Sequence, residues 1–256
     1  MRLSDYEDEE AAPEKWNCFR NNDPSVTHLI LQPAPNQVPS FYQNLATALQ
    51  YNTNITRLQI DLKFSLTKEC MELLTTFLSA NVDNQMLKLI LQRTIGTEAA
   101  SNISDELFPS NSIKELHLRI VLDCVPAATF RPLLEAIGTI GSLESLHIDL
   151  YQFDHKVINL IASLKKILFY NKKLKKLYLE MNDIELQDLE NIAFAIQKLP
   201  SLEAFLLDAS IRNLSNNVII EDVIKKRFPM ISKKYNLTCK VIGNYLLVSS
   251  SRPMIG

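Results

Sequence analysis

Four histidines, His28, His117, His147 and His155, are the side chains best suited to metal or acid-base chemistry, and their spacing limits how much of either is expected. None belongs to an HExxH helix, which would put two imidazoles on one helical face around zinc. His117 and His147 do share a context, each standing between aliphatic residues in Leu116-His117-Leu118 and Leu146-His147-Ile148. On neighbouring strands the two rings would stand side by side, but two ligands without a third make a weak zinc site. His147 and Asp149, two residues apart on one strand face, would be able to form an oriented acid-base pair. No Ser or Cys nucleophile falls beside them, so catalysis is not expected. Cys18, Cys70, Cys124 and Cys239 include no CxxC pair, and the five glycines form neither GxGxxG nor GxxxxGK[ST]. Neither a metal nor a cofactor is expected.

What must position these residues is a repeated apolar triplet. The spacing LxxLxL of Leu174, Leu177 and Leu179 recurs at Val26/Leu29/Leu31, Ile55/Leu58/Ile60, Met86/Leu89/Leu91, Ile113/Leu116/Leu118, Leu143/Leu146/Ile148 and Leu202/Phe205/Leu207. Successive copies start 29, 31, 27, 30, 31 and 28 residues apart. A period of this length marks a solenoid, in which each unit buries its apolar face against its neighbours. On these triplets, from residue 26 to about 210, the chain resembles the leucine-rich-repeat family, in its long, helix-bearing class typified by ribonuclease inhibitor. The resemblance implies a right-handed α/β solenoid, a horseshoe with a parallel concave sheet and convex helices, acting by binding proteins. The chain departs from the family pattern three residues after the last Leu. There only Asn182 matches, while Ala34, Lys63, Thr94, Val121, Tyr151 and Ser210 fill the other positions. Ladders of buried Asn are therefore not expected to hold the turns together.

A chain of 256 residues with 46% hydrophobic content is then read as one elongated unit. Residues 1–25 are expected to form an acidic tail or cap, 26–229 the seven repeats, and 230–256 a C-terminal cap. In that cap Leu237, Cys239 and Val241 alternate before a Gly243-Asn244 turn and the apolar stretch Tyr245 to Val248, which predicts a β-hairpin. Trp16 and Phe19 would supply the packing side of the first cap. The segment MRLSDYEDEEAAPEK carries six acidic and two basic residues, so neither a signal peptide nor a spanning helix is expected. The expectation is a cytoplasmic monomer with reduced, mostly buried thiols. A net charge of -2 gives no general attraction to nucleic acid or a membrane.

Between the triplets the pattern predicts helices. Ser40 to Gln43 reads as a capping box before Leu45 and Leu49, and further helices are expected over 67–80, 104–108 and 217–228. Leu133, Leu134, Ile137 and Ile140 form a fourth stripe whose Gly138 and Gly141 suit left-handed exits. Asp154 would cap a fifth containing Val157, Leu160, Ile161, Leu164 and Leu168, and a sixth spans Leu186 to Leu199 before Pro200. Lys165, Lys166, Lys172 and Lys173 gather near the end of the fifth and read as a solvated face.

Strands pair about 4.8 Å apart, whereas packed helices need roughly 8–10 Å, so such a stack bends with its sheet inside. Six steps give a concave sheet roughly 29 Å long, sufficient for a footprint of about 800 Å² per partner. Alternation turns the residues between the apolar ones toward that face. The middle column reads Ile30, Gln59, Ile90, His117, His147, Tyr178 and Leu206. Arg57, Lys88 and Arg119 lie in the first half, and Asp149, Glu180 and Asp208 in the second, a bipolar groove that would orient a partner. With Tyr151, the charges and the His117, His147 and Tyr178 rings make up the candidate partner-binding set. The acidic residues interrupt any phosphate track, so nucleic acid is not an expected partner.

The expected function is a non-enzymatic scaffold that holds one protein partner on its concave face. The substrate-recognition arm of a ubiquitin ligase and a GTPase regulator are alternative readings of the same architecture. The Lys-, Asn- and Ile-rich texture and degenerate repeats also resemble the leucine-rich-repeat effectors that Legionella delivers by type IV secretion, without their glutamate-rich C-terminal stretch. That resemblance implies delivery to host cytoplasm and binding of a host protein, or regulation of another bacterial effector.

Overall fold

The computed structural model describes residues 2–4, 17–18, 20–32, 43–44, 47, 52, 54–62, 86–91, 113–121, 134–151, 158–211, 236–242 and 245–251. Among the described residues ten strands form one sheet: β1 (Arg2–Ser4), β2 (His28–Gln32), β3 (Arg57–Leu62), β4 (Met86–Leu91), β5 (Glu115–Val121), β6 (Ser145–Tyr151), β7 (Lys176–Ile184), β8 (Ala204–Ile211), β9 (Asn236–Ile242) and β10 (Tyr245–Ser251). They lie in the order β1-β2-β3-β4-β5-β6-β7-β8-β10-β9. The first eight pair in parallel. β10 then runs antiparallel on β8, with β9 antiparallel outside it. Helices α1 (Ile158–Tyr170) and α2 (Leu186–Gln197) complete a mixed α/β fold among the described residues. No described helix is long and apolar enough to cross a membrane.

Backbone pairing puts His28, Arg57, Met86, Glu115, Ser145, Lys176 and Ala204 in one row. Their spacings are 29, 29, 29, 30, 31 and 28 residues, more even than those of the triplets. The difference lies in the third unit. Leu87 pairs with Leu58 and with Leu116, so that unit begins two residues before the expected Met86/Leu89/Leu91 frame. The run Leu87-Lys88-Leu89-Ile90-Leu91 offers the Leu-x-Leu step twice. A slip of two residues keeps every side chain on its own face, so alternation cannot reveal it. Lys88, rather than Ile90, therefore pairs with His117.

One face of the sheet is apolar. Leu29, Leu58, Leu116, Leu146, Leu177 and Phe205 form a first buried column, and Leu31, Ile60, Leu118, Ile148, Leu179, Leu207 and Val248 a second. Facing them is the apolar stripe of each helix, Ile161, Leu164, Ile167 and Leu168 on α1 and Leu189, Ile192, Ala193 and Ile196 on α2, all buried. Recurrence at three and four residues turns these side chains to one side of each helix, the condition for covering a sheet. At roughly 25 cal/mol per Å² removed from water, this continuous apolar layer is the main favourable term of folding.

The starts of successive strands are stitched alike. Thr27 O accepts from the N–H groups of Thr56 and Arg57, Lys114 O from Glu144 and Ser145, Glu144 O from Lys175 and Lys176, and Lys175 O from Glu203 and Ala204. Charge alternates along this stitch, and Lys175 Nζ lies 2.6 Å from Glu144 Oε2. That hydrogen bond and charge hold the Glu144 carboxyl below its ordinary range and the Lys175 ammonium above its own.

Several local expectations change. Buried Asn side chains occur three residues before the first apolar position rather than three after the last, at Asn52 and Asn171. Asn52 Oδ1 accepts from the backbone of Asn54 and Ile55. Asn171 Nδ2 donates to Ile137 O in the preceding unit and to Ile167 O in its own helix. Neither Gly138 nor Gly141 is left-handed. A Cβ on Gly138 would stand 3.0 Å from Glu135 O and 3.6 Å from the Tyr170 ring, so that glycine permits a close approach. The left-handed exit is at Asn22, φ 50, where Asp23 N–H returns to Cys18 O. Arg2–Ser4 add a parallel strand to β2. At the end of α1, Lys172 and Lys173 fall in the turn beyond the helix. Cys18 is half-buried. The helices expected over 67–80, 104–108 and 217–228, and the caps Ser40 and Asp154, lie outside the described residues.

Candidate functional site

The face opposite the helices presents three rows of non-core residues. Among the described side chains the central row is Ile30, Gln59, His117, His147, Tyr178 and Leu206, and the third is Gln32, Asp61, Arg119, Asp149, Glu180 and Asp208. In-register parallel pairing puts equivalent side chains about 4.8 Å apart, which is close to the thickness of two stacked rings. His117 and His147 use that spacing, with ring centroids 3.9 Å apart and planes 6° from parallel. Tyr178 continues the row, its centroid 5.7 Å from that of His147 and its ring tilted by 51°.

This geometry settles how the two imidazoles relate. Ring-nitrogen lone pairs lie in the ring plane, so face-to-face rings do not converge on one ion between them. The pair is a stacked surface rather than a chelate. Among the described residues no three His, Cys, Asp or Glu groups gather to hold a metal.

His147 is held by Glu180, not by Asp149. Its Nε2 donates to Glu180 Oε1 at 3.1 Å. Glu180 sits on the next strand, one position diagonally onward, a separation that a long side chain spans. Asp149 instead meets Arg119, with Nε to Oδ2 at 3.2 Å across β5 and β6. The acid-base pair expected from strand alternation is therefore divided between two other contacts. Arg119 remains 45% exposed at its side chain while that of Asp149 is only 10% exposed, so the guanidinium lies over a nearly buried carboxylate.

The expected bipolar groove is altered by the same contact. Arg119 and Asp149, assigned to opposite halves, offset each other locally. Past them Glu180 and Asp208 stand side by side on β7 and β8. Burial raises the Asp208 carboxyl above its ordinary value, and the neighbouring Glu180 charge raises it further. Two adjacent carboxylates on an open sheet are an electrostatic strain that a cationic group would relieve.

His117, Arg119, His147, Asp149, Tyr178 and Glu180 thus form one contiguous patch, with Asp208 at its edge. Arg57 stands apart, exposed in the first row between His28 and Met86. Lys88 pairs with Gln59 and His117, and Tyr151 with Val121, through the backbone, while their side chains lie outside those described. Sequence reasoning passed over the other side of the molecule, where Phe169, Tyr170 and Phe194 are exposed. The signal was available, because all three fall off the apolar stripes of α1 and α2.

No protein-family profile matches the chain, and no curated protein matches it in sequence. Among solved structures it is similar to the tropomodulin C-terminal domain of Caenorhabditis elegans, a domain of leucine-rich-repeat type. Identity is 12% and the TM-score 0.45, over 63% of this chain and 92% of that one.

Proposed function

We propose that this chain is a leucine-rich-repeat solenoid acting as a non-enzymatic protein-binding scaffold, with the sheet face opposite the helices as its concave binding surface. The observation that carries this reading is the half-buried row His117, His147 and Tyr178, the two imidazoles stacked and the phenol tilted against them, with Glu180 bound to the central ring. Such a row offers flat, rigid surface at little further entropic cost to a partner's planar side chain. Glu180 and Asp208 beside it suit a basic group, so the favoured partner is a protein segment combining a planar and a cationic side chain, arginine above all. The Arg119–Asp149 pair fixes the edge of the patch and so its register.

The test is affinity capture with wild type beside the variant Arg119→Glu, His147→Ala, Tyr178→Ala, Glu180→Lys, its fold checked by far-UV circular dichroism. The resemblance to delivered effectors makes two lysates informative, one from a eukaryotic host and one from the source organism. A protein held by wild type and lost by the folded variant is the expected result, and the lysate that yields it says whose protein is bound. Equal capture by both would remove the sheet face as the site.

A further inference from the structure

Both described helices leave aromatic rings outside their buried stripes. Phe169 and Tyr170 close α1 with 57% and 65% of their surface exposed, and Phe194 on α2 is 57% exposed. Solvent-facing helix positions ordinarily carry polar side chains, and clustered exposed rings mark interaction sites. Phe169 and Phe194 border a groove of about 160 Å³ between the helices, lined also by Lys165, Ala195 and Lys198. That is close to the roughly 150 Å³ of a dry cavity that accepts benzene, and so the size of one bulky apolar side chain.

The groove has a cationic rim. Lys172 Nζ lies 4.5 Å from the centre of the Phe169 ring and Lys198 Nζ 4.1 Å from that of Phe194. Lys165 Nζ donates to the amide oxygen of Asn191 at 2.7 Å. These ammonium groups rest on ring faces and an amide, leaving their charge to be met from outside. Lys166, by contrast, is already engaged by Glu135 at 3.0 Å. Cations held over the rings also restrict the side chains that form the walls.

We propose that this groove is a second docking site, distinct from the open sheet face, for an acidic protein segment carrying one bulky apolar residue. The apolar residue enters between Phe169 and Phe194 over Ala195, and carboxylates on either side of it meet Lys165, Lys172 and Lys198. A half-open slot with charge at its rim suits an inserted side chain of a peptide.

The probe is a fluorescein-labelled heptapeptide of six acidic residues around a central phenylalanine, titrated with the full chain and read by fluorescence anisotropy. Saturable binding is expected, weakened at least about tenfold by Phe169→Ala with Phe194→Ala, by Lys165→Glu with Lys198→Glu, or by alanine at the centre of the peptide. The substituted side chains are largely at the surface, and Lys198→Glu alone serves as a second variant should a double variant misfold. Added salt is expected to weaken binding further. Absent saturation, equal binding to the folded variants, or indifference to the central phenylalanine would each overturn the proposal. So would binding to phosphatidylserine vesicles in place of the peptide, which would make the patch a membrane contact. The sheet-face variant used above is expected to bind the peptide like wild type, so the two sites fail or stand separately.

Discussion

Replacing Asn171 by aspartate should damage the fold far more than replacing it by alanine, although aspartate keeps the shape. The side chain is 4% exposed. Its Nδ2 donates at 3.2 Å to Ile137 O and at 2.9 Å to Ile167 O, and its buried Oδ1 has no partner among the described residues. Both carbonyls also receive a backbone N–H, from Ile140 and from Asn171 itself, so neither is orphaned by truncation. Alanine loses two hydrogen bonds worth about 1 kcal/mol each, partly offset by removing the unpartnered oxygen, for a net cost of roughly 1–2 kcal/mol. Aspartate keeps the unpartnered oxygen, sets a second oxygen against two carbonyls and buries an unpaired charge, for roughly 3–5 kcal/mol. With a urea m-value of about 3 kcal/mol/M, the midpoints fall by about 0.5 M for alanine and about 1 M or more for aspartate. The pH dependence separates them again. A carboxyl in this site has its folded pKa raised by burial, so the penalty is full above that pKa and is relieved as pH falls through it, when a proton supplies a donor. Urea unfolding by circular dichroism at pH 8 and pH 5 measures both effects. An aspartate variant as stable as the alanine one at pH 8, with no recovery at pH 5, would refute the bridging role of Nδ2.

Asp208→Asn should stabilise the protein at neutral pH. The folded carboxyl is raised by burial and by Glu180, so its ionised form opposes folding above the folded pKa and stops doing so below the unfolded value near 3.8. Thermal melts should show the gain at pH 7 and none at pH 3, and a loss at pH 7 would contradict the assigned strain. Phe205→Ala, at the largest fully buried side chain among the described residues, should cost about 3–5 kcal/mol as a core cavity. A urea midpoint within error of wild type would mean that the apolar column on β8 is not part of the continuous core.

Much of the sheet could be read from residue types. Leu146-His147-Ile148 and Leu177-Tyr178-Leu179 show by alternation alone which residues are buried and which face outward, and the structure agrees in both strands. The stripe through Ile161, Leu164 and Leu168 predicted α1, and Leu189, Ile192 and Ile196 fit α2. The adjacency of His117, His147 and Tyr178 followed once the units were taken as equivalent, and pairing puts them there. The frame of β4 did not follow, because Leu87, Leu89 and Leu91 satisfy the same pattern at two offsets. The left-handed turn was placed at glycines, whereas Asn22 adopts it and Gly138 instead makes room for Glu135 O and the Tyr170 ring.

The sequence by itself therefore determined periodicity, the face taken by the described side chains of β2, β3 and β5 to β8, and the apolar stripe of each described helix. These depend on local geometry, two residues per strand repeat and 3.6 per helical turn, which side-chain polarity records directly. Only the tertiary structure decided the partners: Glu180 rather than Asp149 for His147, Arg119 for Asp149, Ile137 O for Asn171, and the groove that Phe169 and Phe194 line from two helices. Those choices turn on register and on distances between segments some thirty residues apart, and a slip or rotation that changes them leaves the polarity pattern of each segment unaltered.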